Sequence, residues 1–215
     1  MKKVPGSTIG RLSVYLRLLD ELRLEGVPTL SSGELGRRSG TTAAQVRKDL
    51  SFFGTFGKRG LGYPVVPLSA ALRSILGLER GWRVVLVGAG RIGRALLGYE
   101  DFRRRGFTIE AVFDADPGKV GQHCQGLEVQ PEARLEEVLR GGFDIAILAV
   151  PAGAAQPMAE RLVAAGVRAI LNFAPVKLRL PEGVALKSVN MALELESLSY
   201  ALAHAAAARA ARPEG

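Results

Sequence analysis

Residues 82–93 read Trp-Arg-Val-Val-Leu-Val-Gly-Ala-Gly-Arg-Ile-Gly. An apolar run enters the spacing Gly88-x-Gly90-x-x-Gly93, and the same spacing opens a helix-compatible segment from Arg91. In that context Gly88 permits a tight turn, Gly90 lets backbone approach a pyrophosphate, and Gly93 lets helix pack on strand. The amides of Ala89, Gly90, Arg91 and Ile92 then stand at a helix N-terminus, where N–H donors and dipole favour an anion. Val112-Phe113-Asp114 ends the next apolar run, 26 residues after Gly88. Its carboxylate suits the hydroxyls of an adenosine ribose. A 2'-phosphate would meet Asp114 and Asp116 with no Arg adjacent, so NAD(H) is expected rather than NADP(H).

Working outward, strand candidates are Arg83 to Val87, Thr108 to Phe113, Phe143 to Val150, Val167 to Phe173 and Val184 to Val189. Helical stretches are expected from Arg91, Pro131 and Gly153. Continuous apolar runs such as Ile145 to Val150 indicate strands covered on both faces, as in a doubly wound parallel sheet of α/β, Rossmann-like architecture. Ligands of such sheets lie beyond the carboxyl ends of the strands, which directs attention to Val150, Pro151, Asn172 and Phe173. A dehydrogenase would also need an acid or base near the ring, and Tyr99 and Lys177 belong to no recognisable catalytic pair. Binding without turnover is the expectation, so the chain is not read as an enzyme. An NAD-dependent oxidoreductase, or a sensor of another nucleotide such as coenzyme A, stays open at this point.

Upstream, Ser7 is expected to cap a first helix with Ile9, Leu12, Leu16, Leu19 and Leu22 on one stripe, ended by Gly26 and Pro28. Ser31-x-x-Glu34 and Thr42-x-x-Gln45 are capping boxes on either side of a turn at Gly40. The helix after Thr42, expected to reach Gly54, carries Ala43, Val46, Leu50 and Phe53 on one side, with Ala44, Gln45, Arg47, Lys48 and Ser51 available for a major groove. Lys58, Arg59 and Gly60 sit at the tip of an expected hairpin, the wing of a winged helix-turn-helix, suited to a minor groove. Ser69 is expected to cap a short helix ending at Gly77. The domains expected are 1–78 for a winged-helix DNA-binding domain, 79–190 for the dinucleotide domain, and 191–215 for a C-terminal helix and tail.

Charge follows this division. The 215 residues carry a formal +8, and residues 1–80 hold 13 Lys and Arg against 6 Asp and Glu, leaving 16 against 15. A basic N-terminal part suggests a polyanionic partner. No run approaches about 18 apolar residues, and Met1 to Gly6 lacks the apolar core of a secretory signal. A soluble, cytoplasmic protein without a membrane partner is expected. One cysteine, Cys124, and two histidines, His123 and His204, offer neither a disulfide framework nor a His-based metal site. Leu195, Leu198, Leu202 and Ala205 stripe the terminal helix, and such a stripe needs a covering partner, either its own domain or a second chain.

The chain resembles the Rex family of redox-sensing transcriptional repressors. The resemblance runs through Gln45-Val-Arg-Lys-Asp-Leu-Ser-Phe-Phe-Gly54, Gly57-Lys-Arg-Gly-Leu-Gly-Tyr63, Gly88-Ala-Gly-Arg-Ile-Gly93, Phe113-Asp-Ala-Asp-Pro117, Leu171-Asn-Phe-Ala-Pro175 and Leu193-Glu-Leu-Glu-Ser-Leu-Ser199. It implies a homodimer with exchanged C-terminal helices, NADH bound near the interface with Met191 beside it, and release from an inverted-repeat operator when NADH replaces NAD+. It also implies a switch in which an Asp exchanges partners between Tyr99 and Arg17. This chain departs there, with Asn190 in place of the family's usual Asp. Asn190 is neutral, so its pairing with Arg17 is expected to be weaker.

Overall fold

The computed structural model describes residues 4–58 and 60–210, without the side chains of 205–210. The chain divides into two compact units between Arg80 and Gly81.

In the first unit, α1 (Gly6–Leu24) buries Leu12, Tyr15, Leu16, Leu19 and Leu22 on one stripe. Two short helices follow strand β1 (Thr29–Leu30): α2 (Ser32–Arg38) and α3 (Ala43–Ser51). Both caps expected from sequence form, with Ser31 Oγ accepting from the Glu34 N–H and Thr42 Oγ1 from the Gln45 N–H. Each such cap contributes about 1 kcal/mol by satisfying a first-turn donor. Strand β2 (Tyr63–Pro64) and α4 (Val65–Ile75) close the unit. Leu30, Leu35, Val46, Leu50, Val65, Leu68 and Leu72 complete its core with the α1 residues.

Several boundaries differ from expectation. Ser7 and Ser69 do not cap helices, because Pro5 and Pro64 occupy those cap positions in extended conformation. Ser69 lies buried within α4 and donates to Asp20 instead. Ile9 is exposed, its place in the buried stripe taken by Thr8. Helix α3 stops at Ser51 rather than Gly54. The hairpin reduces to one antiparallel bridge, Lys58 with Gly62, and β2 pairs with β1 rather than with the arm before the tip.

The second unit is a seven-stranded sheet. Its strands are β3 (Trp82–Val87), β4 (Phe107–Asp114), β5 (His123–Cys124), β6 (Leu127–Pro131), β7 (Ile145–Leu148), β8 (Ala169–Asn172) and β9 (Ala185–Ser188). They lie in the order β5-β6-β4-β3-β7-β8-β9, parallel at every pair but β5 with β6. Between them run α5 (Arg91–Leu97), α6 (Glu100–Arg104), a 3-10 turn (Glu132–Arg134), α7 (Leu135–Leu139) and α8 (Ala152–Ala164). Strands β5 and β6 and helix α6 are too short to announce themselves by periodicity. The sheet is covered on both faces: Val85 and Val87 pack with Leu135, Met158 and Leu162, while Val84 and Leu86 join a second cluster with Leu96, Leu97 and Phe102. The chain leaves β3 for β4 on one side and returns to β7 on the other, so the end of β3 is the switch point where such sheets bind ligands. Last comes α9 (Met191–Ala210).

Candidate functional site

The loop after β3 shows why its glycines are glycines. Gly88 has φ +102° and a Cβ there would run into the carbonyl of Ala149; a Cβ on Gly93 would run into the carbonyl of Gly88. These two are required by the protein itself. Gly90 is different, since a Cβ there would meet nothing within 4 Å. Gly90 also stands at the N-cap of α5 with no side chain capping the first turn. Open space before uncapped amides is the geometry in which a pyrophosphate is held.

Asp114 ends β4 beside this loop and is 7 % exposed. Its Oδ2 accepts from the Ala89 N–H at 2.7 Å and its Oδ1 from the Asp116 N–H at 2.9 Å. Lys119 Nζ reaches both oxygens at 3.1 and 3.3 Å, and Asp116 at 3.5 Å. Burial pushes the Asp114 carboxyl upward, but the two backbone donors and Lys119 outweigh it and hold the group below the usual carboxylate range. Lys119 is a cation that sequence reading missed at the acidic end of the loop. Its only signal was position, just after the turn Asp116-Pro117-Gly118. Arg94 adds a brace, donating from Nε to the Ala89 carbonyl at 3.1 Å and from Nη2 to Gln122 at 2.6 Å.

The residues expected beyond the other strand ends differ in exposure. Val150 is buried and Pro151 exposed at the start of α8. Asn172 is fully buried, its Nδ2 donating to the carbonyls of Ala174 and Val176 and its Oδ1 accepting from the Ala174 N–H. Its side chain shapes the following turn, and its polar atoms are taken up by these partners. Phe173 is half-buried against the sheet. Met191 opens α9 and is exposed.

On the first unit, Ala44, Arg47, Lys48 and Ser51 form the exposed arc of α3. Lys58 and Gly60 are exposed at the wing, and Arg59 lies outside the described residues. Gln45 departs from the DNA-reading expectation: it is half-buried and its Nε2 donates to Asp49 Oδ1 at 2.8 Å. Asp49, unnoticed in sequence, is the hub of this unit. It is fully buried and also accepts from Arg11 Nε at 2.6 Å, Arg11 Nη2 at 2.7 Å, Tyr15 Oη at 2.9 Å and Thr8 Oγ1 at 3.2 Å. Burial raises its pKa, but the donors from Arg11, Gln45 and Tyr15 prevail and bring it down to about 2. The same environment pushes the Tyr15 phenol up, burial first and the Asp49 contact second.

The expected switch residues are described each within its own unit. Arg17 is on an exposed position of α1. Tyr99 is half exposed and packs edge-on against Phe102 with ring centres 5.0 Å apart. Asn190 Oδ1 accepts from the Ala192 N–H at 3.0 Å, so it caps the start of α9. That helix is exposed along all of its described side chains. At roughly 100° per residue, Leu195, Leu198 and Leu202 share one face while Leu193 and Tyr200 share the opposite one. The single stripe expected is therefore one of two, and Ala205 lies outside the described side chains. Among the described residues no cluster of His, Cys, Asp and Glu could hold a metal, and no helix is long and apolar enough to cross a membrane.

Comparison with known proteins adds to this geometry. Residues 79–176 match the family described as "CoA binding domain", and residues 3–51 the family described as "Putative DNA-binding protein N-terminus". The redox-sensing transcriptional repressor Rex of Desulfitobacterium hafniense is 49 % identical over 199 residues, covering 92 % of this chain and 95 % of that protein. The same-named protein of Streptomyces coelicolor is 46 % identical over 198 residues, covering 92 % and 77 %. Among solved structures, RSP in complex with NADH has a TM-score of 0.88 at 35 % identity, covering 99 % of this chain and all of that one. RSP in complex with NAD+ and operator DNA has a TM-score of 0.90 at 37 % identity, covering 97 % of each chain.

Proposed function

The chain belongs to the Rex family of redox-sensing transcriptional repressors, and we propose that it represses by holding an operator as a homodimer and lets go when NADH replaces NAD+. The observation that carries the reading is the open face at Gly90, set between uncapped amides and a carboxylate already ionised beside it. The amides of residues 90–92 hold the pyrophosphate and Asp114 the adenosine ribose, with Val150 and Pro151 toward the nicotinamide side. NAD(H), when bound, supplies the redox signal through its nicotinamide ring. Asp114 and Asp116 disfavour a 2'-phosphate, an effect that Lys119 offsets in part. Coenzyme A shares the ADP half of NAD(H), which accounts for the match over residues 79–176, but its ribose 3'-phosphate would also face Asp114.

In this reading residues 1–78 are the DNA-binding domain, 79–190 the sensor and 191–215 the dimerisation segment. Two apolar faces on one exposed helix call for a partner on both sides, and exchange of α9 between two copies supplies it. Helix α3 lies in the major groove, with Ala44, Lys48 and Ser51 at the base edges, and the wing at Lys58, Arg59 and Gly60 lies in the minor groove. Such a regulator works in the cytoplasm, beside its DNA. Asn190 carries no charge to pair with Arg17, so the exchange of ion-pair partners that the resemblance implies is muted in this chain.

Two dimer forms with different spacing of their α3 helices, one preferred by NADH and the other by the operator, are enough for repression to respond. A hundredfold preference corresponds to about 2.7 kcal/mol. Linkage makes the effect reciprocal, so operator DNA must weaken NADH binding by the same factor. The test is an NADH fluorescence titration with and without a duplex that the protein has selected from a random pool. The dissociation constant is expected to rise with DNA present; an unchanged value overturns the coupling.

A further inference from the structure

Arg47 and Lys48 are neighbours in sequence but roughly 100° apart around α3. Arg47 lies on the flank of the exposed arc nearest α2, and its Nη1 donates to Ser32 Oγ at 2.9 Å. That contact draws the guanidinium away from Ala44, Lys48 and Ser51 and into a cleft of about 540 Å³ between the first turn of α2, α3 and the wing. Ser31, Ser32, Arg47, Gly57, Lys58 and Tyr63 line it, and none of the described residues lining it is acidic. Its wing wall depends on bare backbone. A Cβ on Gly57 would run into the carbonyl of Gly62 and the Tyr63 ring, and one on Gly62 into the carbonyl of Leu30. Arg47 acts on the half-buried Tyr63 phenol as well, opposing the upward push of burial.

Two cations beside serine hydroxyls and a phenol in a concave, acid-free site suit a phosphodiester, and the Ser32 contact holds the Arg47 guanidinium in that cleft rather than over the arc of α3 that faces the base edges. Resting on the operator-binding reading, we propose that this cleft is a clamp for a backbone phosphate of the DNA, and that Arg47 is therefore a positioning contact rather than a reader of sequence. Base discrimination on α3 then falls to Ala44, Lys48 and Ser51.

The experiment measures the affinity of wild type, Arg47→Ala, Arg47→Lys and Lys48→Ala for a pool-selected operator and for its scrambled sequence, each over a series of salt concentrations. Arg47→Ala is expected to lose about tenfold on both duplexes alike, and its salt slope should be shallower by about 0.9 for each of the two clefts in a dimer. Arg47→Lys should recover the slope, because a point charge suffices for a phosphate. Lys48→Ala should instead narrow the ratio between operator and scrambled duplex. Unchanged NADH titration and melting temperature show that each variant is folded. The clamp is overturned if Arg47→Ala loses the operator preference while its salt slope stays that of wild type. A wild-type protein that enriches no sequence from the pool overturns the operator-binding reading itself, and the clamp with it.

Discussion

Each unit buries one carboxylate at its working surface, and the two are satisfied in different ways. Asp49 accepts only from side chains, those of Thr8, Arg11, Tyr15 and Gln45, three of them 34 to 41 residues away on α1. Asp114 accepts from two backbone amides of its own neighbourhood and from one partly exposed cation, Lys119. The first arrangement leaves no oxygen for anything else and ties α3 to α1. In the proposed function the second exchanges its lysine for a ribose hydroxyl, and the amides remain to hold the loop. A carboxylate locked among side chains and one left with an exchangeable cation are thus told apart by whether their partners can be replaced.

The largest test of this contrast is Asp49→Ala. It leaves Arg11 and the Tyr15 hydroxyl without their acceptor, and breaking such a network costs about 3–5 kcal/mol. Trp82, the one tryptophan, lies in the second unit, so its fluorescence follows that unit while helical circular dichroism follows both. Helical signal should be lost at lower denaturant than the Trp82 signal; coincident loss would show that Asp49 supports more than its own unit. Next in size is Asp114→Asn, which should weaken NADH by about 1.5–3 kcal/mol, the range for hydrogen bonds to a charged group, with the melting temperature of the second unit nearly unchanged. A large fall in stability with intact NADH affinity would make Asp114 a structural group like Asp49.

The smallest effect is a pH dependence. Asp49 falls from an ordinary 3.8 to about 2 in the folded protein, so it contributes about 2 kcal/mol of stability that is fully present above pH 3.8 and disappears as pH drops through about 2. Acid unfolding of wild type should show this slope in the first unit and Asp49→Asn should lack it. Parallel curves would mean that the buried donors do not hold the charge as the geometry implies.

The legibility of the sequence follows the range of the interactions involved. The glycine spacing from Gly88 to Gly93 and the capping boxes at Ser31 and Thr42 are written in residues a few positions apart, and the buried strands β3, β7 and β8 each in one apolar run, although their sheet partners are distant in sequence. Asp49 is invisible in sequence because between Arg47-Lys48 and Leu50 it looks like part of a solvated charged face, and three of its four partners are on another helix. An amide at a strand end reads the same whether it turns outward to a ligand or inward to close its own turn, and at Asn172 it turns inward. Ser7 and Ser69 have the residue type of a cap but lie inside helices that begin earlier, each after a proline in extended conformation. Lys119 lay one turn beyond Asp116, where no motif looks.

The terminal helix has a consequence outside gene control. Leu193, Leu195, Leu198 and Leu202 are 57 to 72 % exposed, which is how side chains of an unfolded polypeptide present themselves. To a chaperone or a protease that inspects molecules for bare leucine, a solitary copy is indistinguishable from damaged goods until a twin arrives. Cellular quality control would then cull surplus singles, and the abundance of this regulator would follow the rate at which new copies meet.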